Sequence, residues 1–521
     1  MVVIDSYESI RSKKAPAAGN STTSQNPHPA DEPPPYGAQQ GTYHVSTPGE
    51  SRQPLLSPPI ANEGGNVSGY AVVVRGEPTW KRFGKALVVA VGIYMLFAMF
   101  LRSWVWNLRW DGMRHHNWPE SYPIPPGLET GRCADPPEWG TQYGFRPEAH
   151  RNHTTVDYGY PLSINTKFTL PVNAESLYLL SRGAHSSGSV DILTSATQAR
   201  DSVTVVVTAK YYNQRMRDVV KVCQISRRKG EEGVGIFTPK YTSSYAGDQV
   251  FFETLIVFPE WDGNQRQTPL IVKSFETDVQ NTLHRVHGVA DQVKFAKLRL
   301  QGSNGPISAT SLSVEEGRVE TSNAGISGAF NTTKSLDIST SNGPVLVFVK
   351  VVNGYHLSDP SRLSIETANG PLEANVELYA NSRVTHNGPD NPSSTKPTYY
   401  VGAKTSNNRL QTHFWHQPAD STLRFHGTTR NGPAKAQLHP AYQGPFEAKT
   451  SNSSPRIEVR EENPPDSSGK SRTRKVYTHS IANGRLSGNV DWVPRRGGPG
   501  SVPGKSQVVL ETSNAQAMLL L

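Results

Sequence analysis

Cysteine, apolar residues and catalytic signatures are all scarce in this sequence. Two cysteines in 521 residues exclude both a disulfide-dense scaffold and a Cys-rich zinc module, and one bridge, Cys133–Cys223, is the most they can make. Hydrophobic residues are 35% of the chain. That is low for a length with room for about three domains, so part of the chain is not core. No Lys/Arg run is interleaved with aromatics, so nucleic acid is not an expected partner. The densest run, Lys470–Lys475, sits beside Glu461, Glu462, Pro464 and Pro465 and reads as a solvated loop. There is no Asp-x-Asp, no His-Glu-x-x-His, no Gly-x-Ser-x-Gly, no phosphate-binding Gly-x-x-x-x-Gly-Lys and no Gly-x-Gly-x-x-Gly, which removes the commonest signatures of catalysis. No cofactor is expected. His413 and His416 lack a Cys or His partner at ligand spacing and read as a pair of loop histidines rather than a metal site.

What is present divides the chain into parts. Residues 1–80 are rich in Pro, Ser, Gly, Asn and Gln and read as a disordered cytosolic tail. They hold five basic and seven acidic residues, a net of −2, against +11 for residues 81–521. The tail contains Pro33-Pro34-Pro35-Tyr36, a Pro-Pro-x-Tyr ligand for the aromatic groove of a WW domain. Such a domain, for example in a ubiquitin ligase acting on Lys13 or Lys14, is an expected partner. Ala86–Leu101 then runs 16 residues without a charge, flanked by Trp80, Phe83, Trp104, Trp106 and Trp110. Extended by snorkelling Lys85 and Arg102, it reads as one membrane span over 84–106 and, with no cleavable signal before it, as a signal anchor. Four basic residues before the span against three after favour a cytosolic N-terminus, hence a type II protein of the secretory pathway or cell surface. The sequons at Asn152, Asn331 and Asn452 fall on the extracytosolic side and are candidate glycosylation sites; Asn20 and Asn66 fall on the other.

Residues 107–160 are a Pro/Trp-rich linker. From 161 to 270, β-branched and aromatic runs such as Ser202–Ala209 and Val250–Phe258 alternate with Gly/Ser/Asn clusters, which predicts a β-sandwich-like module. Residues 271–521 carry a repeat of the form Thr-Ser-Asn-Gly-Pro-Ile, centred on Asn304, Asn323, Asn342, Asn369, Asn407, Asn431, Asn452, Asn483 and Asn514. The spacings are 19, 19, 27, 38, 24, 21, 31 and 31, as for a rung of about 19 residues with insertions. Apolar residues alternate on both sides, as in Leu298/Leu300 before the turn and Ile307/Ala309 after it, while the position three before each Asn is always polar. This predicts a β-solenoid whose turns stack their Asn amides in a ladder, with Asn-Gly supplying a left-handed corner. The fold class expected is therefore an all-β ectodomain, a sandwich-like module followed by a β-solenoid, with one transmembrane helix and a disordered tail.

The repeated strand–Thr-Ser-Asn-Gly-Pro-Ile–strand unit resembles adhesin-like β-solenoid domains best known from bacteria. The layout is also similar to single-pass membrane proteins of filamentous and mushroom-forming fungi, on the segments Leu177–Ala184, Gly233–Pro239 and Leu298–Ile307. The resemblance implies a surface role and brings no catalytic residues with it. A membrane-anchored, non-catalytic adhesion or interaction ectodomain is the expectation, its partner a cell-wall polysaccharide or surface protein. Two alternatives stand beside it. One is a β-helical polysaccharide hydrolase or lyase using Glu320 and Glu366, two rungs or about 9.6 Å apart, with Glu373 and Glu377 nearby. The other is an adaptor that recruits a WW-domain ligase through Pro33–Tyr36.

Overall fold

The computed structural model describes residues 122–134, 160–185, 187–240, 249–260, 269–353, 359–381, 396–481, 484–494 and 506–521. The chain divides into two compact units, Met1–Ile93 and Tyr94–Leu521, and every described residue lies in the second. The described part is all β: 26 strands joined by hydrogen bonds into one continuous system, and a single five-residue helix, Arg215–Val219. The expectation of a transmembrane helix is corrected accordingly, because no described helix is long and apolar enough to cross a membrane. The segment 84–106 itself lies outside the described residues, as do the tail and most of the 107–160 linker.

The strands form two columns. The first climbs from Ser176–Arg182 through Leu270–Val279, Val293–Gln301, the C-terminal halves of Ile307–Glu320 and Ile326–Thr340, then Ser361–Thr367, Thr398–Lys404 and Thr422–Thr428, each parallel to the next. The second climbs from Ser187–Ser195 through Asn281–Val286, the N-terminal halves of the same two long strands, then Val345–Val352, Leu372–Tyr379, Leu410–His416 and Ala434–Gln437. Each long strand serves both columns, and the pairing between the two shifts register at Ala309/Leu312 and again at Val314/Glu316. Period-two alternation explains the enclosure. Leu298, Leu300, Ile307, Ala309, Leu336, Ile338, Val345 and Val347 are buried and belong to one core shared by both columns.

That core does not stop at 270. Glu231–Phe237 pairs in parallel with Ser176–Arg182, and Val250–Pro259 with Ser187–Ser195. The columns then end in antiparallel strands: Lys221–Ser226 and Glu129–Cys133 on the first, Ser202–Tyr211 and Leu162–Pro171 on the second. The sandwich-like segment is thus the N-terminal continuation of the repeat's own two columns.

The other end departs from chain order. Gln507–Thr512 lies between Thr422–Thr428 and Gly444–Thr450, parallel to both. Ala517–Leu520 likewise lies between Ala434–Gln437 and Arg456–Glu458. The last strands in sequence therefore form the next-to-last rung in space, with Val508, Leu510, Ala517 and Leu519 fully inside. An antiparallel hairpin, Arg472–Ile481 with Arg485–Pro494, pairs with Gly444–Thr450 and finishes the stack.

Candidate functional site

The repeat's corners build a spine. Asn304 Nδ2 donates to Asn281 Oδ1 at 2.5 Å, and Asn323, Asn342, Asn369, Asn407 and Asn431 each donate to the preceding member at 2.6–2.7 Å. Asn514 then donates to Asn431 and Asn452 to Asn514, both at 2.6 Å. The file begins one rung earlier than the motif suggests, at Asn281, and takes Asn514 before Asn452. Asn483 lies outside the described residues. A second file, not apparent from the motif, runs inside it. Two positions before six of these Asn stands a buried Thr whose hydroxyl donates to the corner carbonyl one rung below: Thr321 to Gly305, Thr340 to Ala324, Thr367 to Gly343, Thr405 to Gly370, Thr429 to Asn408 and Thr512 to Gly432, at 2.9–3.1 Å. A buried hydroxyl costs free energy unless bonded, so a strictly placed Thr both needs and supplies this contact.

Four of the corner glycines are not left-handed, whereas Gly484 is, at φ +73°. Gly305, Gly343, Gly370 and Gly432 are absent from the positive-φ residues; they are needed because of close approach. A Cβ at any of the four would lie 1.8–2.0 Å from a carbonyl oxygen of the neighbouring rung.

Other residues singled out from sequence are dispersed. Cys133 and Cys223 form a disulfide tying Glu129–Cys133 to Lys221–Ser226. Asn152, Pro33, Pro34, Pro35 and Tyr36 lie outside the described residues. Asn331 is half-buried in strand Ile326–Thr340, in register with Lys350; Asn452 is exposed in the ladder. Glu320 and Glu366 flank Ser339 on one file, but neither stands as an acid poised for chemistry. Glu320 pairs with Arg299 and Arg318 at 3.2 and 2.6 Å, and Glu366 faces Lys404 at 4.0 Å. No cluster of three His, Cys, Asp or Glu that could hold a metal occurs among the described residues.

The outer face of the second column carries the most distinctive surface. Its strands Val345–Val352, Leu372–Tyr379, Leu410–His416 and Ala434–Gln437 align Phe348, Asn375, His413 and Gln437 in one file and Leu346, Glu373, Gln411 and Lys435 in the next. His413 and His416 are therefore on a strand, not in a loop. The register slips at Trp415: Phe414 faces Val376 and His416 faces Glu377, leaving Trp415 as the extra residue. A bulge of this kind re-aims side chains, and here it sends both Trp415 and His416 outward. Trp415 is 55% exposed, Leu346 52% and Phe348 39%, so large apolar side chains stand in water on an otherwise ordinary sheet face. The Trp415 ring is fixed at its edge by an Nε1–H bond to Asn375 Oδ1 at 2.9 Å and on one side by the His413 ring at 3.9 Å. Beside it, Tyr379 stacks on His416 at 4.2 Å and 12°, with Lys350 Nζ 4.5 Å over the Tyr379 ring. Tyr379 donates to Glu377 at 3.1 Å, and its phenol pKa is raised by burial and by that carboxylate. His416 Nδ1 contacts Leu378 O at 2.5 Å; since a carbonyl only accepts, Nδ1 carries the proton. Burial, with Arg460 and Lys435 nearby, lowers the His413 pKa. A fixed, ring-lined strip of this sort offers flat apolar faces edged by amide, carboxylate and ammonium groups.

No family model matches the chain, and no curated protein matches it. Among solved structures it is similar to a "putative cell adhesion protein" from Clostridium sporogenes, at 8% identity over 68% of this chain and 98% of that one, with a TM-score of 0.14. At that TM-score nothing more is built on it.

Proposed function

We propose that this is a non-catalytic adhesion protein of the extracytosolic space whose ring-lined face binds an extended polysaccharide, such as one of the cell wall. The observation that carries the reading is the Phe348–Asn375–Trp415–His413 strip. Sugar rings present C–H faces that pack on aromatic rings, and their hydroxyls need the amide and carboxylate groups that Asn375, Gln411 and Glu373 place alongside. Strands about 4.8 Å apart set these groups in file across four neighbouring rungs, so a rigid polymer meets a rigid track. Cys133–Cys223 supports an oxidising compartment. Glu320, held between Arg299 and Arg318, is engaged as an ion-pair partner, which favours binding over hydrolysis.

Retention on insoluble chitin, β-glucan and pectin tests the reading. Trp415→Ala should weaken retention on the preferred polymer at least tenfold, since stacked rings carry a large share of such contacts, while Tyr477→Ala, exposed on the terminal hairpin, leaves it unchanged. Wild-type protein that is retained on none of the three, or a Trp415→Ala variant retained as well as wild type, overturns it.

A further inference from the structure

At the end of the ring-lined face lies a buried cation without a paired counter-charge among the described residues. Arg472 and Arg474 project from the same side of strand Arg472–Ile481, the run that reads from sequence as solvated loop, and both are buried, at 7% and 4% exposure. Arg472 is fully served: Asp466 receives it through Nε and Nη2 at 3.1 Å each, and Asp420 receives Nη1 at 3.0 Å. Arg474 is not. Its Nη1 reaches only the Glu461 carbonyl, at 3.4 Å, and Nε and Nη2 have no partner among the described residues. A guanidinium does not shed its proton, and an uncompensated charge in the interior is among the costliest arrangements a fold can keep.

Fixed positive charge nearby comes from Arg460 and Lys435. Half-buried His439 is acted on by Arg474 and the rings of His416 and His413, and its pKa is lowered to about 4, chiefly by burial and then by these neighbours, so it stands beside the guanidinium as a neutral imidazole. The His416 and His439 rings are 6.0 Å apart, which connects this spot to the Trp415 strip. Arg460 and Lys435 act on His413. The acidic group that acts on Arg474 is Glu461, without a direct ion pair.

We infer that Arg474, with His439 and His416 beside it, is a site for an oxyanion: a carboxylate, sulfate or phosphate group, either free or carried on the polymer of the adjacent face. The polymer-borne form rests on the function proposed above; the oxyanion site does not. Two N–H groups of one guanidinium match two oxygens of such a group in a planar fork, and the site then closes the difference between Arg474 and Arg472.

The test is thermal unfolding of the full chain at constant ionic strength in chloride, sulfate, galacturonate and trigalacturonate, for wild type, Arg474→Met and Arg474→Lys. Wild type should gain about 4 °C at saturating oxyanion over chloride. Arg474→Met should gain less than 1 °C while melting no lower than wild type in chloride, because it removes an unpaired charge and keeps the volume. Arg474→Lys, which retains charge without the fork and serves if the Met variant does not fold, should gain less than half the wild-type shift. A trigalacturonate shift at tenfold lower concentration than galacturonate assigns the anion to the polymer; equal potency assigns it to a free oxyanion. If glycan retention fails but the Arg474-dependent sulfate shift persists, the oxyanion site stands and the polysaccharide reading falls. Equal shifts in wild type and both variants overturn the site.

Discussion

The strands around residue 180 and those around residue 350 keep their place by different means. Ser176–Arg182 is buried at six of seven positions and Ser202–Tyr211 at eight of ten, whereas Val345–Val352 and Leu372–Tyr379 are buried at alternate positions only. The first region is covered on both sides. Tyr122, Ile124 and Leu128 pack over Tyr178, Leu180, Ile225 and Phe237 in a second small core, beside the Cys133–Cys223 bond. A one-residue slip in an alternating strand turns its apolar side to water, so alternation fixes register. A strand buried on both sides loses that information, and here a covalent tie and an outer cover stand in for it. The open stack needs no cover, because alternation and the Asn and Thr corner files specify each rung.

Four measurements sharpen that contrast. The largest effect belongs to the covered region. Replacing both Cys133 and Cys223 by Ser should lower unfolding free energy by about 4 kcal/mol, given the 90-residue separation, in a denaturant titration. It should also raise hydrogen exchange in 122–134 and 221–237 before the rungs beyond 345. Next is the seam between the regions, where buried His284 is bonded to Thr277 at 2.9 Å. Burial lowers its pKa to about 4, below the unfolded value of about 6.5. The unfolded chain therefore binds the proton first as pH falls, and stability present above pH 6.5 is lost towards pH 4, by about 3 kcal/mol in all. His284→Gln should flatten the pH dependence of the unfolding midpoint over that window; an unchanged profile would remove His284 from the account. In the stack, Gly343→Ala should cost about 3 kcal/mol, since its methyl meets the Ala324 carbonyl. Gly127→Ala, with φ +84° and open space around it, should cost about 1 kcal/mol. Smallest is the ladder itself. Asn342→Ala leaves Asn323 and Asn369 each one bond short and should cost about 1 kcal/mol, and Asn452→Ala, at the ladder's end, about half that. Equal costs at the two positions would mean that the ladder's bonds do not act as neighbours.

The corner repeat is legible because Asn and the Thr two positions before it recur together, each for a contact with the rung below. What the motif does not encode is which rung that is. Thr512-Ser-Asn514 has the same chemistry as Thr450-Ser-Asn452, so chain order was the natural stacking order, and only the pairing of 507–512 with both 422–428 and 444–450 reveals the exchange. The same limit hid the ring-lined strip. His413-Phe-Trp-His416 looks irregular because a bulge breaks its alternation, and the hydrogen-bond partner of Trp415, Asn375, lies 40 positions away. Arg474 was unreadable for a related reason: its burial is set by how the 472–494 hairpin folds back, while its neighbours in sequence are polar and prolyl.

The out-of-order rung has a consequence for how the molecule is made. During translation, residues 444–458 emerge before 507–520, yet in the finished fold they join the stack through them. Until then the rung at 422–437 presents an unpaired edge of the kind that recruits foreign strands. In the finished fold that edge is closed by 507–512 and 517–520, so native closure waits on the last segment to be made.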